Sequence, residues 1–419
     1  MPTFLVQSLG CKVSQYDGQR LEEHLRTLGF VPVAGDQEPD LFILNSCSVT
    51  GRAAQKVRQA LGAVRRRWPA AKLVLAGCEA KNRDLAAQSS PEADGVLLPN
   101  STLALVEELI AGLGFALSGA ATAAFDHTPI AKQRTRAFLK IQDGCRQFCA
   151  YCIVPHLRGD EVSKSISDAV QEARQLVQNG FRELVITGIH LGRYAPGLVP
   201  FLREIETISG LDRIRLSSIE SVEVGDDLID WLATSVKACA HLHLPLQSGS
   251  DEILRAMNRP YTTADFQNVV ERLRRRLPDI GITTDFMVGF PGESDALFAE
   301  SLRFAEMIGF SRMHIFRYSP REGTPAATMC QQVDGRVKRQ RAERAEEVWR
   351  RSALAFHRRF IGRTVEVLWE TCIDNIWRGM SREYIPCESA DHPCVDLTNT
   401  IQRVNVQLAD QENVVVRSL

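Results

Sequence analysis

Cys145, Cys149 and Cys152 lie on one short loop, in the run Phe138-Leu-Lys-Ile-Gln-Asp-Gly-Cys-Arg-Gln-Phe-Cys-Ala-Tyr-Cys152. Thiolates spaced C-x3-C-x2-C can hold three irons of a cubane, whereas a [4Fe–4S] cluster ordinarily takes four cysteines. The iron left without a cysteine then keeps an open position, as a catalytic zinc does when three protein ligands leave room for substrate. The competing assignments are a zinc knuckle or three unrelated thiols. Zinc sites more often present C-x2-C pairs with a second pair or histidines at a distance.

Three further cysteines gain meaning from the elements that precede them. Thr3–Ser8, Asp40–Asn45 and Lys72–Ala76 read as strands, with helices over about Asp17 to Leu28 and Gly51 to Arg67 between them. Strands alternating with helices at this interval predict an α/β domain with a parallel sheet. Cys11, Cys47 and Cys78 each follow one of these strands. In an open α/β sheet the loops at the strands' carboxyl ends share one crevice, so the topology predicts a second three-thiolate site. The alternative is three buried core cysteines, a residue type common in interiors. Val57, Leu61, Val64 and Trp68 form one apolar stripe of the Gly51–Arg67 helix, and Arg52, Lys56, Gln59 and Arg66 fall on the opposite side.

Ala116 to Ala124 is rich in Ala, Gly and Ser and reads as a linker. Beyond it, strands are expected at Ala137–Ile141, Glu183–Thr187, Arg213–Leu216, His241–Leu244, Gly281–Phe286 and Arg312–Phe316, each followed by a polar or glycine-bearing loop. Six such units predict a partial or nearly full TIM-like β/α barrel, with its site at the strands' carboxyl ends. From about Phe360 the pattern changes to short runs at Thr364–Glu370, Pro393–Leu397, Arg403–Leu408 and Asn413–Arg417, which predict a small β-barrel.

Composition bounds the rest. The 419 residues predict two or three domains, and 44% apolar with 24% charged residues is ordinary for a soluble globular chain. No apolar run approaches the ~18 residues of a membrane span, and the N-terminus lacks a signal peptide's basic start and long apolar stretch. Eleven cysteines in that context point to a cytoplasmic protein with reduced thiols or metal ligands. The net charge is −1, but it is unevenly spread. No acidic residue occurs between Leu41 and Cys78, and Arg336 to Arg359 holds nine Lys/Arg against three Glu. Such stretches fit a polyanion partner or simply a solvated helix face. From Ile361 onward the balance reverses to five Arg against nine acidic residues, a poor grip on phosphate unless a few arginines and aromatics such as Tyr384 provide it.

On these residues the chain resembles the methylthiotransferase family of radical S-adenosylmethionine (SAM) enzymes. The blocks that carry the resemblance are Gly10-Cys11-Lys-Val-Ser-Gln-Tyr16, Asn45-Ser-Cys47-Ser-Val-Thr50, Gly77-Cys78, Gln142–Gly159, Leu244–Asp251 and Asp285–Glu293. The resemblance implies a methylthiotransferase domain at residues 1–124, a radical SAM barrel at 125–356 and a TRAM-like β-barrel at 357–419. It implies two [4Fe–4S] clusters, a catalytic one on Cys145, Cys149 and Cys152 and an auxiliary one on Cys11, Cys47 and Cys78. SAM would be held by Tyr151, Gly188, Glu220, Gln247, Val288 and Gly289. His190, His241 and His243 read as rim or core histidines. The substrate would be a tRNA anticodon stem–loop, bound by a monomer through Arg52, Lys56 and Arg66. The opening Gly-Cys-Lys-Val with a following Gln-Tyr is similar to the branch acting on C2 of N6-threonylcarbamoyladenosine, although Ser14 departs from the family's asparagine. The isopentenyladenosine branch has Gly-Cys-Gln-Met-Asn there, and the ribosomal-protein branch, which modifies an aspartate, has Gly-Cys-Pro-Lys-Asn. A non-catalytic iron–sulfur RNA-binding or electron-transfer protein is the reading from another class.

Overall fold

A run as apolar as Leu41–Leu44 needs cover on both faces, and the computed structural model places it in the central strand of a parallel sheet. The structure describes residues 1–33, 37–47, 51–85, 93–117, 135–391 and 395–418, and the side chains of 51–54 and 83–85 lie outside the description. Much of the predicted linker and Cys394 therefore also lie outside it.

The first part comprises β1 (Thr3–Ser8), α1 (Lys12–Thr27), β2 (Val31–Pro32), β3 (Leu41–Ser46), α2 (Gly51–Arg67), β4 (Lys72–Gly77), α3 (Cys78–Leu85), β5 (Gly95–Leu97) and α4 (Leu103–Gly112). Its sheet order is β2-β1-β3-β4-β5, all parallel. Val57, Leu61, Val64 and Trp68 bury their stripe against Phe42 and Leu44, as the periodicity predicts. Helix α1 begins directly after Cys11, five residues earlier than the sequence suggests. Gly18, which reads as a helix weakener, is instead where α1 approaches the sheet, since a Cβ there would overlap Ser8 Oγ.

The central part contains β6 (Arg136–Lys140), β7 (Gln142–Asp143), α5 (Val154–Arg158), β8 (Val162–Ser163), α6 (Ile166–Gln178), β9 (Glu183–Thr187), α7 (Leu198–Glu206), β10 (Arg213–Leu216), α8 (Asp226–Thr234), β11 (His241–His243), α9 (Asp251–Ala256), α10 (Thr263–Arg276), β12 (Gly281–Val288), α11 (Asp295–Ile308), β13 (Arg312–Arg317), α12 (Pro325–Thr328) and α13 (Gly335–Arg358). β6, β9 and β10 pair in parallel, as do β11, β12 and β13, and single bridges such as Ser218 to His243 join the two halves. The result is a six-stranded open barrel. Leu184, Ile186, Ile214, Leu216, Ile282 and Phe286 point outward under the helices. The alternating positions, including Glu183, Arg215, His241, His243, Asp285 and His314, face a polar lumen.

The last part is a closed barrel of β14 (Thr364–Ile373), β15 (Ile376–Ser381), β16 (Pro386–Ser389), β17 (Ile401–Ala409) and β18 (Val414–Ser418), in the order β14-β15-β16-β18-β17. The barrel itself is as predicted, but its strands differ. No strand covers 395–397, and β15 and β16 are additional. Asp374 and Asn375 both take positive φ, the backbone of a two-residue hairpin turn, and that pair was the available signal for β15.

This barrel plugs the lumen's lower end. Arg213 donates to the carbonyl oxygens of Met380 at 3.0 Å and Glu366 at 2.6 Å, and Arg215 donates to Ser381 O at 3.0 Å. Tyr384 stacks on His241 with ring centroids 4.3 Å apart, so it faces the lumen instead of offering an RNA-facing surface. Its neighbour Glu383 lies so near Gly281 that any Cβ there would overlap the Glu383 carbonyl. Among the described residues no helix is long and apolar enough to cross a membrane.

Candidate functional site

The strand ends of the first sheet are knitted into one crevice. Asn45 Nδ2 donates to Ser14 O at 2.5 Å, Ser46 Oγ donates to Ala76 O at 2.5 Å, and the Glu79 N–H donates to Ser46 Oγ at 3.2 Å. A Cβ on Gly10 would sit 2.5 Å from Cys47 Cβ, so only glycine lets the first loop close on the second. Cys11 and Cys47 hydrogen-bond through their thiols. That contact, reinforced by the Ser14 backbone and the Arg158 guanidinium, pulls Cys11 down to about 6. Burial pushes Cys78 up, and Arg158 opposes it by charge and by a hydrogen bond to the sulfur.

Arg158 comes from the central part, at the end of the short helix that follows the other cysteine loop. Its side chain is 1% exposed and pairs with Asp17 at 2.9 Å and Asp143 at 2.8 Å. Lys140 bridges the same two carboxylates at 2.5 and 2.8 Å. Asp17 belongs to α1 and Asp143 to β7, so this four-charge cluster locks the first domain against the mouth of the barrel. Nothing in the sequence marked Arg158.

The Cys145–Cys152 loop leaves the carboxyl end of β6. Cys152 donates its backbone N–H to Cys149 O at 2.9 Å. Cys145 Sγ accepts from the Gln147 N–H at 3.4 Å and lies 3.5 Å from His190 Nδ1. Cys149 Sγ accepts from Arg259 Nη1 at 3.2 Å. Burial is the first cause raising Cys152 to about 12, with the neighbouring Cys149 and Cys145 charges adding to it. Burial alone would keep His190 neutral, but its contacts with Cys145 and Glu223 outweigh that and push it up to about 10. Among the described residues no three His, Cys, Asp or Glu side chains gather tightly enough to hold a single metal ion. A cubane gives each thiolate a different iron and asks for no such convergence. Cationic donors aimed at the sulfurs are what such a cluster uses to set its potential, so these residues fit one. His190, read from sequence as a rim or core histidine, is buried at this mouth against Cys145.

The other predicted site residues are dispersed around this mouth. Tyr151 packs beside Phe290 and Tyr318. Gly188 lies against Gln142, 3.0 Å from its Oε1 to a built Cβ. Glu220 is ion-paired with Arg259, the residue that also reaches Cys149. Gln247 is 8% exposed with φ 65°, a strained backbone of the kind found at functional rims. Val288 is buried in the outer core, so only its backbone can border a ligand. Gly289 has φ 73°, and Lys338 crowds any Cβ there.

On α2, Lys56 and Arg66 are exposed and make no ion pair among the described residues, while the side chain of Arg52 lies outside the description. The second basic stretch is largely consumed internally. Arg341 is buried against Glu293 at 2.7 Å, Arg351 pairs with Glu306 at 2.9 Å, and Arg359 pairs with Asp279 at 3.0 Å.

Comparison with known proteins agrees with this geometry. Residues 139–305 match the radical SAM superfamily, and residues 3–97 match a family described as uncharacterized protein family UPF0004. The fold resembles that of the radical SAM methyltransferase TsrM from Kitasatospora setae, with a TM-score of 0.58, 14% identity and coverage of 78% of this chain and 76% of that one. That likeness shows the barrel fold, and the radical SAM match over 139–305 implies a [4Fe–4S] cluster and SAM. Threonylcarbamoyladenosine tRNA methylthiotransferase MtaB of Thermotoga maritima is 36% identical over 88% of this chain and 87% of its own. The Chlamydia pneumoniae protein of the same name is 35% identical over 99% and 97%. A tRNA-2-methylthio-N(6)-dimethylallyladenosine synthase of Sphingopyxis alaskensis is 38% identical over 88% and 86%. The chain belongs to the radical SAM methylthiotransferases.

Proposed function

We propose that the protein methylthiolates C2 of N6-threonylcarbamoyladenosine next to the anticodon of tRNA. The observation that carries the methylthiotransferase reading is Arg158, a single buried guanidinium in contact with Cys78 and packed at the foot of the second cysteine loop. It links the Cys78 side of the first sheet to the helix that follows the Cys145–Cys152 loop. Cys145, Cys149 and Cys152 would hold one [4Fe–4S] cluster, and Cys11, Cys47 and Cys78 a second.

When bound, the clusters and SAM supply the one-electron chemistry and sulfur needed to replace an unactivated C–H bond. The chain supplies position. Arg259 fixes Cys149 and Glu220 together, His190 holds Cys145, and Arg158 with Lys140 keeps the first domain over the barrel. Tyr151, Gly188, Gln247 and Gly289 ring the space assigned to SAM.

The threonylcarbamoyl substrate is favoured by the Gly10-Cys11-Lys12-Val13 opening and by the nearly end-to-end match to the Chlamydia relative. The Sphingopyxis relative, equally similar, favours isopentenyladenosine. Nucleoside mass spectrometry of tRNA from cells lacking the protein separates them. The expected result is loss of the methylthio form with accumulation of N6-threonylcarbamoyladenosine. Accumulation of isopentenyladenosine, or loss of a methylthio group from a ribosomal protein, would sink the assignment.

The exposed face of α2 is proposed as the phosphate contact. Each real phosphate contact contributes about one unit to the salt slope of binding. Lys56→Ala with Arg66→Ala is therefore expected to lower the slope by about two for an anticodon stem–loop. Titration of binding against salt, with an unchanged slope, would return these side chains to the solvated surface.

A further inference from the structure

The last two strands of the open barrel carry inward groups that the assigned cluster and SAM positions leave unused. Phe286, Val288, Met313 and Ile315 turn outward into the core, so Asp285, Met287, His314 and Phe316 face the lumen. The parallel register sets Asp285 beside His314 and Met287 beside Phe316. Asp285 and Phe316 are therefore diagonal neighbours on one face, about 8 Å apart by strand geometry. Phe316 is 38% exposed, and among the described residues its ring makes no aromatic or cation–π contact. Asp285 is held from behind. His243 Nε2 lies 3.4 Å from its Oδ1, and His243 Nδ1 shares a hydrogen bond with Thr283 Oγ1 at 2.9 Å, which fixes the imidazole. The second carboxylate oxygen has no partner among the described residues, and the side chain is 28% exposed.

This face lies where the proposed sites meet. The Gln247 N–H donates to Asp285 O at 2.8 Å, and the Met287 N–H donates to Gln247 O at 2.8 Å, so Asp285 sits directly beneath the rim assigned to SAM. Beyond β13 the Ala326 N–H donates to Ala150 O at 2.8 Å, which pins the strand's exit to the Cys145–Cys152 loop. A Cβ on Gly323, in the same exit, would lie 3.7 Å from Ile153, which packs on Cys78. A free aromatic face beside an oriented hydrogen-bond acceptor is what proteins present to an unstacked RNA base, the ring for its face and the polar group for its edge.

We propose that Phe316 and Asp285 form the seat of the target adenine, the ring stacking on the base and the free carboxylate oxygen accepting its N6–H. This rests on the tRNA reading given above and names the residues that would position the base. An adenine substituted once at N6 still carries one N6–H, whichever substituent it bears. That N–H and the C2–H lie on different edges of the ring, so a base held by its N6 edge keeps C2 unobstructed. Fixing the reacting carbon in this way is a direct source of rate, because the encounter is settled before the chemistry begins.

The test measures the affinity of anaerobically reconstituted enzyme for anticodon stem–loops that differ only at the target nucleotide. The four are N6-threonylcarbamoyladenosine, its N6-methyl derivative, isopentenyladenosine and an abasic site. Stacking on an aromatic ring is worth about five- to a hundredfold in affinity, and wild type is expected to prefer the threonylcarbamoyl loop over the abasic one by about that factor. A hydrogen bond to a charged group is worth about ten- to a hundredfold, the expected preference for the N6–H form over the N6-methyl form. Phe316→Leu is expected to remove most of the first preference and Phe316→Tyr to retain it, while Asp285→Ala removes the second. Equal affinity of wild type for the base-bearing and abasic loops would overturn the seat, as would an unchanged preference in Phe316→Leu or Asp285→Ala. The wild-type comparison decides even where a variant fails to fold, which iron content and thermal unfolding report. Tighter binding of the isopentenyl loop, with both variants behaving as expected, would overturn the threonylcarbamoyl assignment and leave the seat standing.

Discussion

Cys149→Ala is expected to abolish formation of both 5′-deoxyadenosine and methylthiolated nucleoside, whereas Cys47→Ala is expected to abolish only the second. The two residues lie in separate triads. Cys149 is bound by Arg259, which in turn is ion-paired with Glu220 on the rim assigned to SAM. Cys47 is hydrogen-bonded to Cys11 in the other domain. Loss of Cys47 leaves every contact of the Cys145–Cys152 loop in place. Product analysis by mass spectrometry under strong reductant measures both outcomes, and iron content gives a second reading. Two cubanes require about eight irons per chain, and Cys145, Cys149 and Cys152 changed together to Ala are expected to leave about half. Normal methylthiolation by Cys47→Ala would remove the auxiliary site from the mechanism.

Glu183→Ala is expected to destabilise the protein by about 3–5 kcal/mol, the cost of breaking a buried charge pair from one side. Glu183 is fully buried between Arg215 at 2.7 Å and Arg213 at 3.5 Å. Its removal leaves two buried guanidinium groups with less compensation. Burial would raise the Glu183 carboxyl, but the charge and hydrogen bonds of Arg215 outweigh it and hold the group below the ordinary carboxylate range. A carboxyl depressed in the folded state contributes stability above its unfolded value, about 4.3 for Glu, and loses it as pH falls through the folded value. The gap between wild type and Glu183→Gln in urea unfolding is therefore expected to be constant near neutrality and to close below about pH 4. A gap independent of pH down to acid unfolding would mean that Glu183 is not the ionised centre of this cluster.

The fold was largely legible because its strands carry strong signals. Leu41–Leu44 is a continuous apolar run, and Val57 to Trp68 a clean helical stripe. The start of α1 falls five residues before the expected Asp17, directly after Cys11, and Gly18 within it is where the helix closely approaches Ser8. In the C-terminal barrel, β16 is four residues long and begins with Pro386, too little pattern to register. At the site, cysteine spacing and strand topology pointed to six thiols. The residues that hold them, Arg158, Arg259 and His190, come from distant positions and carry no motif of their own. The basic stretch at Arg336–Arg359 misled because charge counted along a sequence says nothing of partners across space. Glu293, Glu306 and Asp279 neutralise much of it.

The Tyr384 tip seated in the lumen also constrains how such chains can descend from one another. Small terminal barrels are often exchanged between proteins as self-contained cassettes, because their contacts with the host are few and polar. Here the tip's main-chain oxygens satisfy Arg213 and Arg215, and its Glu383 carbonyl needs a glycine at position 281. Recombination that brought in a barrel with a differently shaped tip would inherit stranded arginines from one parent and a steric clash from the other. The two segments thus pack as one interdependent unit, despite the break in their sequence patterns near Phe360.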